Sequence, residues 1–490
     1  MSSVSERATA GERVIPRIVP TPLPAGGAVP RAGRPRALSA DVLAALLPGP
    51  GRDRLGGGGA SLVVTTGQQP GLFTGPLYTV YKALSAMAWA RRLERERGTP
   101  VVPVFWVAGD DHDFAEANHA GLLDAHGEAV RVVLRERAAD APLRPLWRER
   151  CGNEVLAALA LLRERTPDTE FKPAVLEWLS STYRPDATLA DAFALALNAL
   201  LAPRGLAVFS AHAPGAKRAM APWLLKGLAA TLPDGYTPVL VEGTAGRDRL
   251  RVDGDAFVTR RSGQRYSRND LERIAAEHPE LLSPNVLLRP VVEAALFPTV
   301  AYAAGPGELG YLPDARTLYP VLGDGVEPQA AVARWSGVLV EHRVEKVLER
   351  YGLTVAAFAD PPGVLEARLA RESLPPEVVA RFAELRSQIE QGYGRLAEAV
   401  IPIDPTLERT VQSARNSALG GTHDIEKKLV AALRRANETL GSQIARARAA
   451  LYPGGKPQER VLTLASFLIR YGPALVDALE AEVARWADAS

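Results

Sequence analysis

Cysteine is almost absent, with Cys151 the one thiol in 490 residues. No intramolecular disulfide can form and no cysteine-rich zinc site can assemble, which fits a reducing compartment, so a cytoplasmic protein is expected. Cys151 sits in Arg148-Glu149-Arg150-Cys151-Gly152-Asn153 with no partner motif, and reads as a packed thiol rather than a nucleophile. Long apolar runs are missing too. Met1 to Arg17 is polar and mixed in charge, and nowhere do about 18 apolar residues follow one another. Neither a secretory leader nor a membrane span is expected. An excess of one charge is also lacking: 58 Lys and Arg against 56 Asp and Glu leave +2. Binding to a phosphate backbone needs a concentrated basic excess, so nucleic acid is not an expected partner.

What remains is an ordinary globular composition on a chain too long for one core, so two or three domains are expected. Residues 18–60 are rich in Pro, Gly, Ala and Arg and end in Gly56-Gly57-Gly58-Gly59, so 1–60 is expected to be an extended lead-in with a flexible joint. Leu62-Val63-Val64-Thr65-Thr66 is β-branched like a buried strand. A helix should start at Gly75-Pro76, with Thr74 capping its free amides, and carry Leu77, Tyr81, Leu84 and Ala88 on one face until Gly98. The apolar run Val101 to Val107 then completes a βαβ unit. Further strands are expected at Leu206–Ser210, Pro238–Val241 and Val300–Ala303, with a helix over Thr188 to Leu201 among the segments between them. The alternation predicts an α/β fold, a doubly wound parallel sheet with inserted connecting segments, over 61–362.

Past Pro361-Pro362-Gly363 the pattern changes. Val378, Phe382, Leu385, Ile389, Tyr393, Leu396 and Val400 form one seam at helical spacing, and Ile425, Leu429, Ala432, Ala436, Leu440, Ile444, Ala447 and Leu451 form another. Joined through Ile401-Pro402-Ile403-Asp404-Pro405, they predict an antiparallel helical arm over 363–452, with 453–490 docking back on the core. So much apolar stripe points to homodimerisation through the arm; folding back on the main domain is the alternative.

Three segments carry candidate chemistry. The first, Thr66-Gly67-Gln68-Gln69-Pro70-Gly71 to Lys82, joins a strand's carboxyl end to a helix start, where ligands bind in open α/β sheets. Gly67, Gln68, Gln69, Gly75, Tyr78 and Lys82 are its candidates for an anionic cofactor, although the loop matches neither a Walker A motif nor GxGxxG. The second is Gly109-Asp110-Asp111-His112-Asp113-Phe114, with Asn118 and His119 behind it, the densest polar cluster in the chain. Asp111 and Asp113 beside His112 should stabilise its charged form and suit it to acid–base work. A helix cap explains one of these acids, and no metal spacing is matched. The third, Tyr302 to Gly305-Pro306-Gly307-Glu308, is a possible ligand loop that alone reads as a simple turn, with Arg334-Trp335-Ser336 following. Gln458-Glu459-Arg460 reads as part of a docking segment, and the basic arm residues Lys427, Lys428, Arg434 and Arg435 as a solvated face.

Taken together, Thr66–Gln69, Gly75–Leu84, Pro103–Trp106, Asp111–Phe114 with Asn118-His119, Tyr302 with Gly305–Glu308, Leu451–Pro453 and Gln458–Arg460 resemble the bacillithiol biosynthesis cysteine-adding enzymes, a cysteine ligase family, in order along most of the chain. The family pattern has Ser-Glu-Asp-His-Asp where this chain has Gly109-Asp110-Asp111-His112-Asp113, so an acid is kept and a hydroxyl is lost. The resemblance implies a Rossmann-like core, a coiled-coil dimerisation arm, and amide formation between L-cysteine and glucosaminyl-malate, driven by ATP with Mg2+ as the candidate metal. His112, Asp111, Asp113 and His119 would then be catalytic, and Gly305, Gly307 and Glu308 would join the ATP-binding set. Asp110, Asn118, Tyr302 and Arg334 would bind substrate. The competing readings are a nucleotidylyltransferase that stops at an adenylated product and a dimeric nucleotide-binding scaffold.

Overall fold

The structure, a computed structural model, describes residues 15–23, 30–323, 325–436 and 438–490. It divides into two compact units, residues 1–340 with 458–490 and residues 341–457. Of the expected lead-in, residues 1–14 and 24–29 lie outside the described residues. The rest is not extended throughout. β1 (Arg17–Pro20) is followed by helices at Ala40–Ala44 and Pro50–Gly56. Ser39 caps the first, accepting the Val42 amide at 3.3 Å, and Pro50 opens the second. Pro, Gly and Ser at helix starts look the same in composition as Pro, Gly and Ser in a loop.

β2 (Leu62–Gln68), α1 (Leu77–Arg97) and β3 (Val101–Val107) form the expected βαβ unit. α1 is buried almost continuously from Leu77 to Ala90, so it is a core helix rather than an amphipathic one. Gly98, at φ 61°, ends it in the left-handed region. β4 (Ala207–Ser210) and α2 (Pro214–Gly227) follow. The chain then builds a separate antiparallel sheet from β5 (Tyr236–Gly243), β6 (Gly246–Asp253), β7 (Ala256–Thr259), β8 (Arg265–Ser267) and β9 (Leu282–Pro284), in the order β8-β7-β6-β5-β9. The strand expected at Pro238–Val241 belongs here and not to the parallel sheet. Four apolar residues in a row are common to both kinds of strand.

α3 (Arg289–Leu296), β10 (Thr299–Ala304), α4 (Pro306–Ala315), β11 (Ala330–Ala333) and β12 (Gly337–Val340) complete this part of the first unit. The parallel sheet runs β11-β10-β2-β3-β4, a Rossmann-like arrangement. From β2 the chain first extends the sheet through β3 and β4, then returns to add β10 on the other side. The switch in direction therefore lies between β2 and β10, where a crevice opens at the strands' carboxyl ends.

The second unit is helical. α5 (Pro376–Val400) pairs with α6 (Leu407–Ala436) across the expected turn, and α7 (Glu438–Leu451) follows. Its limits, 341–457, are wider than the 363–452 read from periodicity, because shorter helices such as His342–Arg350 and Val364–Glu372 belong to it. α8 (Gln458–Val461) and α9 (Ala474–Ala489) return to the first unit, where Trp486 meets Trp89 of α1 edge to face at 6.3 Å. Among the described residues no helix is long and apolar enough to cross a membrane.

Candidate active site

At the carboxyl ends of β2, β3 and β10 lies a cavity of about 510 Å³. Gly67, Gln68 and Gln69 leave β2 into it, Asp110, Asp111 and His112 follow β3, and Tyr302 with Gly305, Gly307 and Glu308 comes from β10 and the start of α4. Tyr78 and Lys82 project from α1, and Arg334 follows β11. Three distant segments of sequence meet here.

Lys82 is neither solvated nor free. It is 2.7 Å from Glu308, donates to the Gly67 carbonyl, and reaches Oε1 of Gln68 at 3.3 Å. Burial opposes its charge, and Glu308 opposes that effect. Burial would also raise Glu308, but Lys82, the Gly305 amide and the Tyr302 hydroxyl outweigh it and hold the carboxyl below its ordinary value. The chain of contacts continues: Tyr302 donates to Glu308 at 2.5 Å and accepts from Arg289 at 3.1 Å, and Arg289 pairs with buried Glu293 at 2.7 Å. Alternating signs along this line keep the buried charges compensated. Tyr78, bonded by Gln68 at 3.2 Å, has its hydroxyl pushed up to about 12, mainly by burial.

The acidic loop is organised by its own backbone. Asp111 accepts from the amides of His112 at 2.7 Å and Asp113 at 3.1 Å, while Asp110 pairs with buried Lys217 of α2 at 2.5 Å. The net stabilisation of a charged His112 expected from its flanking acids is not found. Burial, then the Arg247 guanidinium, lowers its pKa from 6.5, and Asp111 and Asp113 recover only part of the loss. Its Nδ1 is buried with no hydrogen-bond partner among the described residues, so no acceptor favours an imidazolium there.

Four of the sequence candidates are not among the cavity's lining residues. Asp113 caps the short helix Phe114–Ala117, accepting from Glu116 at 3.0 Å. Asn118 is buried and donates to the Arg135 carbonyl at 2.6 Å. His119 starts the strand His119–Leu123, its Nδ1 3.0 Å from the Ala115 carbonyl. Gly75 is buried in a loop whose exit is closed. The Leu77 amide, first in α1, donates to the Leu462 carbonyl at 2.8 Å, and the Thr74 hydroxyl turns to the Phe73 carbonyl instead of capping the helix. The first amide of the expected anion cradle is thus taken by the protein's own chain.

Sequence reasoning missed most of the cations. Arg247 and Arg249 come from β6 of the antiparallel sheet, Arg289 from α3 and Arg460 from α8. Arg247 is held by Ser283 at 2.8 Å and by the Pro284 carbonyl, and Arg249 pairs with Asp234 at 2.6 Å. Arg334 is engaged bidentately by Glu459, at 2.7 and 3.0 Å, and this clamp fixes α8. Arg460, next in sequence, then lines the cavity exposed and without an ion pair among the described residues. Cys151 is fully buried, and burial pushes its thiol up to about 12, as a packed thiol requires. Among the described residues there is no group of three or more His, Cys, Asp and Glu side chains placed to hold a metal ion.

Comparison with known proteins adds to this geometry. The family described as Bacillithiol biosynthesis BshC, N-terminal Rossmann-like domain, matches residues 58–232 and 239–324, and its C-terminal coiled-coil domain matches 337–485. A protein of Salinibacter ruber named "Putative cysteine ligase BshC" is 34% identical over 86% of this chain and 80% of its own length. Proteins of the same name from Heliobacterium modesticaldum and Chlorobaculum tepidum are each 32% identical, over 87% and 85% of this chain and 82% and 80% of their own lengths.

Proposed function

The chain belongs to the bacillithiol biosynthesis BshC family, and from that premise we propose that it is a ligase that joins L-cysteine to glucosaminyl-malate through an amide bond, driven by ATP. One observation carries the chemical part of the reading. His112, whose pKa is lowered by burial and then by the Arg247 guanidinium, stands in a cavity whose cations outnumber its acids. Amide formation needs an activated carboxylate and an unprotonated amine. Activation joins the cysteine carboxylate to phosphorus of ATP and releases pyrophosphate or ADP. The amine then attacks the acyl carbon, the C–N bond forms, AMP or phosphate leaves, and the amine's proton passes to the His112 imidazole. A neutral imidazole is the form able to take it.

In this reading the triphosphate lies towards Gly305 and Gly307 at the start of α4; the Gly305 amide is held by Glu308 at 2.8 Å, and the open space at Gly307 lets phosphoryl oxygens approach the helix amides beyond it. Arg460 and Arg247 offset its charge. Mg2+ would arrive on the phosphates, and needs only one or two carboxylates from protein, such as Asp111. Incubating the purified protein with glucosaminyl-malate, cysteine and ATP should give the cysteinyl amide by mass spectrometry. No product under any metal or nucleotide condition would sink the assignment. Full activity in His112→Ala would overturn the base alone.

Homodimerisation through the arm belongs to the same proposal. α5 has no buried residue, and Val379, Leu385 and Leu396 are 47%, 41% and 46% exposed. Light scattering should give twice 52.4 kDa for the wild type and a single mass for Leu385→Asp/Leu396→Asp. A monomeric wild type at micromolar concentration would refute it.

A further inference from the structure

A second groove, of about 600 Å³, lies on the first unit and shares no lining residue with the cavity. One wall is the segment 142–150 and the other is the turn between β5 and β6. These walls are tied together: the Leu143 amide donates to the Ala245 carbonyl at 3.1 Å, and the Arg247 amide to the Leu143 carbonyl at 2.8 Å. Gly246, at φ +79°, meets Leu143 so closely that a Cβ would lie 2.4 Å from its carbonyl carbon. The floor of the groove is therefore fixed by backbone.

Its charge is unbalanced. Arg144, Arg148 and Arg150 line it against one carboxylate, Glu242. Arg148 is already committed, 2.7 Å from Glu242 and 4.1 Å over the Trp147 ring. Arg150 gives one hydrogen bond, to the Asp186 carbonyl at 2.6 Å, and keeps the rest of its fork. Arg144 makes no ion pair among the described residues, and both side chains are exposed. Trp147 is stacked by Arg148 and by His212, parallel to 7°, so the groove offers guanidinium forks rather than an open ring face. Two uncommitted forks beside a rigid wall match the paired oxygens of phosphate or carboxylate groups, and crowding like charges disfavours the empty state.

We propose that this groove is a binding site for a compact, multiply charged oxyanion, held by Arg144 and Arg150 against the wall formed by Arg148 and Trp147. The proposal is independent of the ligase reading. Calorimetric titration of the whole protein at low ionic strength, with inorganic pyrophosphate in one arm and citrate in the other, tests it. Saturable binding is expected, weakening as salt is raised. Arg144→Ala and Arg150→Ala should each weaken it by about tenfold, the scale of a lost charge-assisted hydrogen bond, while Arg460→Ala removes only a component bound in the cavity. Pyrophosphate binding more tightly assigns a phosphorylated ligand, and citrate binding more tightly a polycarboxylate. Unchanged thermal midpoints without ligand would show that the variants fold. No binding of either anion at millimolar concentration overturns the site. So does binding that Arg460→Ala abolishes and the two groove variants do not.

Discussion

Two glycine-bearing loops leave the carboxyl edge of the same parallel sheet, and they are closed differently: the first by a remote backbone carbonyl, the second only in part, by its own Glu308, which accepts from the Gly305 amide at 2.8 Å. The loop after β2, through Gly71 and Gly75, leads into α1, whose first amide is taken by the Leu462 carbonyl. The loop after β10, through Gly305 and Gly307, leads into α4 and lines the cavity. Both have the local chemistry of an anion site. Whether a helix start is available to a ligand is decided by what else packs there, and in the first loop that is a segment nearly four hundred residues away.

Breaking the buried pair that joins the two loops should have the largest effect. Lys82→Met leaves Glu308 as an uncompensated buried charge, at a cost of about 3–5 kcal/mol in denaturant unfolding, and should abolish ligation; a loss under 1 kcal/mol would show the pair to be dispensable. The glycines sharpen the contrast more finely. Gly75 sits at φ 69°, ψ −167°, a region essentially restricted to glycine. Gly75→Ala should therefore cost about 1–3 kcal/mol with KM for ATP unchanged. Gly307 has open space around its Cβ position. Gly307→Ala should keep stability within about 0.5 kcal/mol and raise KM for ATP; the reverse pattern would return the nucleotide to the first loop.

A smaller effect is expected in pH dependence. His112 has its pKa lowered from 6.5, so its proton-accepting form persists to more acid pH, and the acid limb of kcat/KM should fall below 6.5. Arg247→Met removes the second-largest cause of the lowering and should move that limb upward; a limb that does not move would separate Arg247 from His112. The smallest change is Thr463→Val. It deletes the 2.6 Å bond to the Phe73 carbonyl and should cost about 1 kcal/mol in unfolding.

The parts legible in sequence are those whose signal is local. β2, α1, β3, β10 and the paired arm helices could be read from apolar runs and helical spacing, and the Asp110–His112 loop from its density of polar groups. Arg247 and Arg249 could not. In Gly246-Arg247-Asp248-Arg249-Leu250 charged residues alternate as on a solvated edge, yet Arg247 and Asp248 are enclosed by tertiary packing. The lowered pKa of His112 was hidden for the same reason. Its neighbours in sequence are two acids, and the cation that opposes them arrives from another sheet. Residue order shows which groups are adjacent along the chain, and the electrostatics of the cavity depend on groups adjacent only in space.

Gln458 bonds Leu339 from both sides of its amide, accepting from the backbone N–H at 2.8 Å and donating to the carbonyl at 3.0 Å. The chain therefore leaves the first unit and re-enters it at a single point. To that unit, residues 341–457 amount to one long loop, and closing a loop grows costlier only slowly with its length. The arm could be replaced by a short Gly-Ser linker, or exchanged for another helical hairpin, while Glu459 still reaches Arg334.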